Sequence, residues 1–230
     1  MIKAVIFDID NTLYSYDENH IYGMEALAVY FRDSFGITTE EMQACYRKAG
    51  RIMTDRIGTD TAAIHSRMLR MQCMLELLEK PLFPHARNMY HAYWDTFIQH
   101  IQSNPGILEF MKELKKRKIR IGIGTDMTAY VQYRKLEAIG VTPYIDFIVT
   151  SEEAGVEKPH YRFFDICVEK AGVRPEECAF IGDNVKKDIE GAWESGLKGI
   201  WYTQEKEPPE HRYFPTIRSF RGIDVDEFLK

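Results

Sequence analysis

The densest chemistry in the sequence is Phe7-Asp8-Ile9-Asp10-Asn11-Thr12-Leu13, where two carboxylates stand two residues apart directly after the apolar run Ala4-Val5-Ile6-Phe7. In extended chain both would point to one side. Such a pair can divide group transfer, one acid attacking and the other handling protons. Acids that close an apolar run also occur as plain solvated turns, so the pair is weighed with what recurs elsewhere.

Gly182-Asp183-Asn184-Val185-Lys186-Lys187-Asp188 again follows an apolar run, and its two acids straddle the start of the next helix. Hard oxygen donors placed there suit magnesium, although Asp183 alone would also serve as a helix cap. Ile121-Gly122-Ile123-Gly124-Thr125-Asp126 ends in a hydroxyl on a glycine-softened backbone, so Thr125 and the following amides are placed to hold phosphate oxygens. In Glu157-Lys158-Pro159-His160, Pro159 favours helix initiation and Lys158 can project toward the acids. An anionic nucleophile approaches a phosphate dianion only if a divalent ion and a lysine offset the repulsion, and this set supplies ligands for one and is the other.

These residues sit at the ends of short continuous apolar runs, at Ala4 to Phe7, Ile119 to Gly124, Ile145 to Val149, Cys178 to Ile181 and Gly199 to Tyr202. Strands buried on both faces look like this, and the segments between them read as helices, with Pro105 near one start and Gly140, Gly172 and Gly196 past three ends. The alternation predicts an α/β fold, a parallel sheet covered by helices, and ligands in such sheets bind beyond the carboxyl ends of the strands. Residues 15–104 show no strand pattern and are too long for a loop. Their apolar residues recur at helical spacing, as in Met24, Leu27, Ala28 and Phe31, in Met68, Met71, Leu75 and Leu78, and in Tyr90, Tyr93, Trp94 and Phe97. The expected division is a core of residues 1–14 and 105–230 with a helical cap of residues 15–104.

Composition narrows the function. The 230 residues are 45% hydrophobic and carry a net charge of −5 with scattered Lys and Arg, which offers no basic face to a nucleic acid. No apolar stretch suits a signal peptide or a bilayer span, so the expectation is a cytoplasmic protein without a membrane partner. The four cysteines lack paired spacing and read as reduced packing thiols, and the seven histidines form no zinc signature.

Asp8-x-Asp10-x-Thr12, Thr125, Lys158 and Gly182-Asp183-x-x-x-x-Asp188 resemble, in order and spacing, the four motifs of the haloacid dehalogenase-like (HAD) hydrolase superfamily. The insert is similar to the helical cap of its subfamily I, and Thr216-Ile217-Arg218-Ser219-Phe220 to the C-terminal strand. The resemblance implies a Rossmann-like three-layer α/β/α core and a phosphatase of small phosphorylated metabolites. In it Asp8 would attack phosphorus, and Asp10 would protonate the leaving oxygen and then activate water. Magnesium would be ligated by Asp8, the Asp10 carbonyl and Asp183, with Asp188 supporting the metal. Thr125 and Lys158 would bind the phosphoryl group, and Asn184 would orient Lys158 or the loop backbone. Asp126 departs from the Asn of many relatives and adds charge near the phosphate. Asp10 argues against dehalogenation, which needs no leaving-group acid.

A phosphomutase of the same superfamily and a non-enzymatic phospho-accepting or binding module remain alternatives. A phospho-signalling receiver fits less well, because its core carries no such insert. Nucleoside monophosphates, sugar phosphates and phosphoglycolate-like acids all stay open as substrates, as do monomer and homodimer. Segment 14–20 is expected to form a hinge-like flap, and Tyr14, Tyr16, His20, Tyr22 and Met24 to pack between cap and core rather than touch the leaving group.

Overall fold

The computed structural model describes residues 1–204 and 214–230. The chain forms two compact units, Met1–Ser15 with Gln102–Lys230, and Tyr16–Ile101. Strand β1 (Ala4–Phe7) is apolar at every position and buried throughout, as a strand covered on both faces must be.

After a turn at residues 11–13 the chain enters the helical unit with α1 (Tyr16–Phe35), which begins earlier than a flap over residues 14–20 would allow. It continues with α2 (Thr39–Ile57), a 3-10 turn at Ala62–His65, α3 (Arg67–Leu77) and α4 (His85–His100). A reciprocal capping box starts α2: Glu41 N–H donates to Thr38 Oγ1 at 3.3 Å, and Glu41 Oε2 accepts from Thr38 N–H at 2.9 Å. Leu27 and Phe31, Met71, Met74 and Leu75, and Met89, Tyr93, Trp94 and Phe97 form the buried stripes, while Met24, Ala28 and Tyr90 are half-buried. Gly23 lets α1 and α4 meet closely, since a Cβ there would come within 2.7 Å of the Tyr93 ring.

The remaining chain builds the other unit from α5 (Ile107–Lys116), β2 (Arg120–Thr125), α6 (Ala129–Ala138), β3 (Phe147–Thr150), α7 (Ser151–Ala154) and α8 (Tyr161–Ala171). There follow β4 (Cys178–Gly182), a π-helical turn at Val185–Glu190, α9 (Gly191–Glu194), β5 (Lys198–Tyr202), β6 (Thr216–Ile217) and α10 (Val225–Phe228). The sheet has the order β3-β2-β1-β4-β5-β6 with every pair parallel. One face packs Ile6, Val149 and Phe180 with Phe163, Phe164 and Cys167 of α8, and on the other Phe7 meets Phe110 of α5 and Phe220. This is a three-layer α/β/α core with an inserted helical cap. Gly172 at φ +65° ends α8 in the left-handed region that glycine enters freely.

Topology decides where the chemistry gathers. From β1 the chain builds outward through β2 and β3, then returns to add β4, β5 and β6 on the opposite side. The reversal opens a crevice at the carboxyl ends of β1 and β4, the place where ligands bind in sheets of this kind.

Candidate active site

Asp8 follows β1 immediately, and its N–H donates to Ile181 O at 2.9 Å, which fixes it beside the end of β4. Asn11, at φ +60°, turns the chain sharply, and Thr12 Oγ1 comes back to donate to Asp8 Oδ2 at 3.4 Å. Beyond β4, Asn184 caps the π-helical turn by accepting from Lys187 N–H at 2.9 Å. Its own N–H donates to Asp188 Oδ2 at 3.0 Å, drawing that carboxylate back under the strand end. Gly182 makes room, because a Cβ there would fall on the Asp188 carboxylate. Asp8, Asp183 and Asp188 thereby each present an oxygen within 4.8 Å of the others.

Lys158 enters this group from the loop before α8, with Nζ 2.7 Å from Asp8 Oδ1 and 2.7 Å from Asp188 Oδ1, and all three side chains are buried. Burial pushes the Asp8 carboxyl well above its ordinary value; Lys158 opposes this and the neighbouring acids add to it. Asp183 is raised to about 7 by burial and by Asp188. Burial alone would lower Lys158, but Asp188, Asp8 and Asp126 hold it well above the usual lysine value. Ionised together, the three carboxylates against one ammonium would carry two uncompensated negative charges, and the raised Asp8 and Asp183 lose their protons readily only to a cation that supplies the balance. The donor set is all oxygen, and its residual charge is that of one divalent cation, so these residues fit a hard metal ion.

Thr125 ends β2, buried, with Oγ1 accepting from Gln132 Nε2 at 2.6 Å. Asp126 is held by two lysines. Its Oδ1 accepts from Lys158 N–H at 3.0 Å and its Oδ2 from Lys187 Nζ at 2.8 Å, so it braces the loop that carries Lys158. Asn184 serves the loop backbone through its bonds with Lys187 and Asp188.

Asp10 separates from the other acids. Both its oxygens accept from Lys135 Nζ, at 2.7 and 3.0 Å, and it also accepts from the Tyr14 hydroxyl and from Gln132 Nε2 at 3.4 Å. Burial would raise its carboxyl, but the Lys135 charge and the hydrogen bonds of Lys135, Tyr14 and Gln132 outweigh it and hold Asp10 below the usual carboxylate range. Tyr14, expected to be packing, thus touches the chemistry, and Lys135, Gln132 and Lys187 were not anticipated from sequence. The readable signal for two of them was Gln132-x-x-Lys135, polar residues three apart on the buried stripe of α6.

The model of the haloacid dehalogenase-like hydrolase family matches residues 2–196. A ribulose-1,5-bisphosphate 5-phosphatase of Halopiger xanaduensis is 34% identical over 90% of this chain and 87% of its own. A glyceraldehyde 3-phosphate phosphatase of Methanocaldococcus jannaschii is 29% identical over 100% and 99%. Among solved structures, a putative HAD-hydrolase of Bacillus subtilis bound to magnesium superposes with a TM-score of 0.69 at 21% identity, covering 100% and 99% of the two chains. Motif order, the carboxylate cluster at the strand ends and a family match over most of the chain agree, and the protein belongs to the haloacid dehalogenase-like hydrolases.

Proposed function

We propose that the protein is a magnesium-dependent phosphatase that hydrolyses a small phosphate monoester, of the size of a sugar phosphate, through an aspartyl-phosphate on Asp8. The observation that carries this reading is the two-charge deficit around Asp8, Asp183, Asp188 and Lys158. Magnesium bound there, held by Asp8, Asp183, the Asp10 carbonyl and the support of Asp188, supplies charge neutralisation between the nucleophile and the phosphoryl dianion. The activities of the two phosphatase relatives favour a phosphorylated carbohydrate.

In the first half-reaction an Asp8 carboxylate oxygen bonds to phosphorus as the ester oxygen departs with a proton from Asp10. In the second, water bonds to phosphorus, Asp10 takes a proton from it, and the Asp8–phosphorus bond breaks to release inorganic phosphate. Lys158 offsets the charge of Asp8, and Thr125 holds a phosphoryl oxygen. Asp10 has to change protonation between the halves, and the Lys135 contact favours the ionised form that the hydrolytic half requires.

The reading is tested with p-nitrophenyl phosphate and magnesium. Asp8→Asn should lose about 10⁴-fold or more in kcat with an unchanged circular dichroism spectrum, as removal of a nucleophile does. Wild-type activity should vanish in excess chelator. Turnover by Asp8→Asn, or full wild-type activity without metal, would sink it.

A further inference from the structure

The helical unit buries a guanidinium that no carboxylate neutralises. Arg67 opens α3 and is 8% exposed. Its Nη1 donates to His65 O at 3.3 Å and its Nη2 to the Tyr16 hydroxyl, while Nε has no partner. The guanidinium carbon lies 5.5 Å from the Tyr93 ring centre and 5.9 Å from that of Trp94. No ion pair reaches it among the described residues, and its strongest electrostatic neighbours are the phenols of Tyr16, Tyr46 and Tyr93. Burial holds the Tyr93 hydroxyl well above the usual phenol value despite Arg67, so this neighbour stays uncharged.

A second cation and further unused donors stand beside it. Arg70, three residues along α3, lies with its guanidinium carbon 4.7 Å from the Tyr46 ring centre. Arg70 Nε and the buried Tyr46 hydroxyl both lack partners. His20 joins the group through Nδ1, 2.6 Å from the Tyr93 hydroxyl, and its ring is stacked on Tyr16 and 6.2 Å from that of Tyr46. Burial and the Arg67 charge, with Asp17 opposing and Arg70 adding to them, push His20 down to about 4, so it is a neutral ring at physiological pH. Two clefts adjoin the cluster, one of about 770 Å³ whose lining includes His20, Glu25, Tyr46 and Arg47, the other of about 490 Å³ whose lining includes Tyr46, Arg47, Asp55 and Arg70; Arg67 lines neither and would be reached past Tyr46 and Arg70.

A buried, unneutralised charge with idle donors around it is the signature of a place completed by a ligand of opposite sign. We propose that the cap unit carries an oxyanion site in which Arg67 and Arg70 pair with a phosphate or carboxylate group and the Tyr46 hydroxyl and His20 ring complete its coordination. The planar fork of arginine matches both groups. The occupant has two possible sources, the non-reacting end of a doubly charged substrate or a separate oxyanion. The site does not depend on the phosphatase reading; assigning its occupant to the substrate does.

The metal-free protein is titrated by NMR at the His20 ring, assigned with His20→Asn, in sodium sulfate and in sodium chloride of equal ionic strength. In chloride the ring should titrate near pH 4. Sulfate should raise this by about one unit as the guanidinium is neutralised, and Arg67→Gln should abolish the response. With magnesium, the ratio of kcat/KM for ribulose 1,5-bisphosphate to that for p-nitrophenyl phosphate should fall about tenfold or more in Arg67→Gln if the substrate fills the site. An unchanged ratio alongside a wild-type sulfate response assigns a separate oxyanion. A wild-type His20 titration that ignores sulfate, together with an unchanged ratio, overturns the site. Should Arg67→Gln not fold, Arg67→Lys is read on the same two scales, because it keeps the charge and loses the fork. Failure to hydrolyse p-nitrophenyl phosphate would strike the phosphatase reading and leave the sulfate result to decide the site.

Discussion

Lys135 is fully buried on α6 with both oxygens of Asp10 within reach, and the Asp10 side chain keeps 29% of its surface exposed. Replacing Lys135 by Met removes a cation from a mostly buried pair, and a loss of about 2 kcal/mol is expected, less than for a fully dehydrated pair. The more telling readout is kinetic. Without the ammonium Asp10 holds its proton to higher pH, so the alkaline limb of kcat/KM for an alkyl phosphate monoester, whose leaving oxygen needs the Asp10 proton, should move up by about one unit or more. A drop in rate with no change in the pH profile would reduce Lys135 to a packing residue. The sequence announces Asp8, Lys158, Asp183 and Asp188 as candidates because each closes or follows an apolar run in a recognisable motif. It does not announce that Lys135 and Lys187 reach back across 125 and 61 positions, because which lysine on a helix faces inward depends on the register of that helix over the sheet. The same limit applies to Asp126, whose expected effect on phosphate is offset by a lysine that only the fold supplies.

At the scale of elements, the strand runs were legible because burial on both faces leaves little but apolar residues. Winding was less so: nothing in Val185-Lys186-Lys187-Asp188-Ile189-Glu190 distinguishes a π-helical turn from an α-helix, and the wider turn shows only in the fold. The buried stripe of α4 likewise runs through Met89 where Tyr90 was expected, a shift of one residue that periodicity alone does not resolve. The junction of β4 with the π-helical turn makes a prediction. In Gly182→Ala the new methyl occupies the place of the Asp188 carboxylate, which has to move. Magnesium affinity measured by calorimetry should fall about 10–100-fold, the usual effect of disturbing a supporting ligand. Gly140→Ala is the control: Gly140 has φ +75° and open space around its Cβ position, so it should lose about 1 kcal/mol of stability and leave magnesium affinity unchanged. Equal affinity in the two variants would show that Asp188 does not support the metal.

For the molecule as a whole, the unneutralised acids tie folding to pH. Asp183 titrates at about 7 in the metal-free fold, well above its value in an unfolded chain. Between those two values Asp183 holds a proton in the native state that it lacks in the unfolded chain, so its own contribution to stability falls as pH rises from about 4 to about 7, while His20, pushed down to about 4, contributes with the opposite sign over most of that window. Under the proposed function magnesium would displace those protons and should bind more tightly at pH 8 than at pH 5. At a hundred times its dissociation constant it contributes about 2.7 kcal/mol, roughly 5–10 °C in Tm for a chain of this size. Thermal melts of the wild type and of Asp183→Asn in chelator, and of the wild type in magnesium, check both signs, and a stability difference between the two proteins in chelator that does not fall from pH 4 to pH 7 would contradict the assignment of Asp183. The sheet order carries one more consequence. β1 precedes in sequence both strands it lies between, β2 and β4, whose pairing residues begin at Arg120 and Cys178. During synthesis this apolar segment leaves the ribosome long before either neighbour exists, whereas Tyr16–Ile101 is finished and able to collapse early. This apolar segment therefore stays unpaired along one edge in the growing chain until β4 has been made, and a chaperone that shields such segments would act at Ala4 to Phe7.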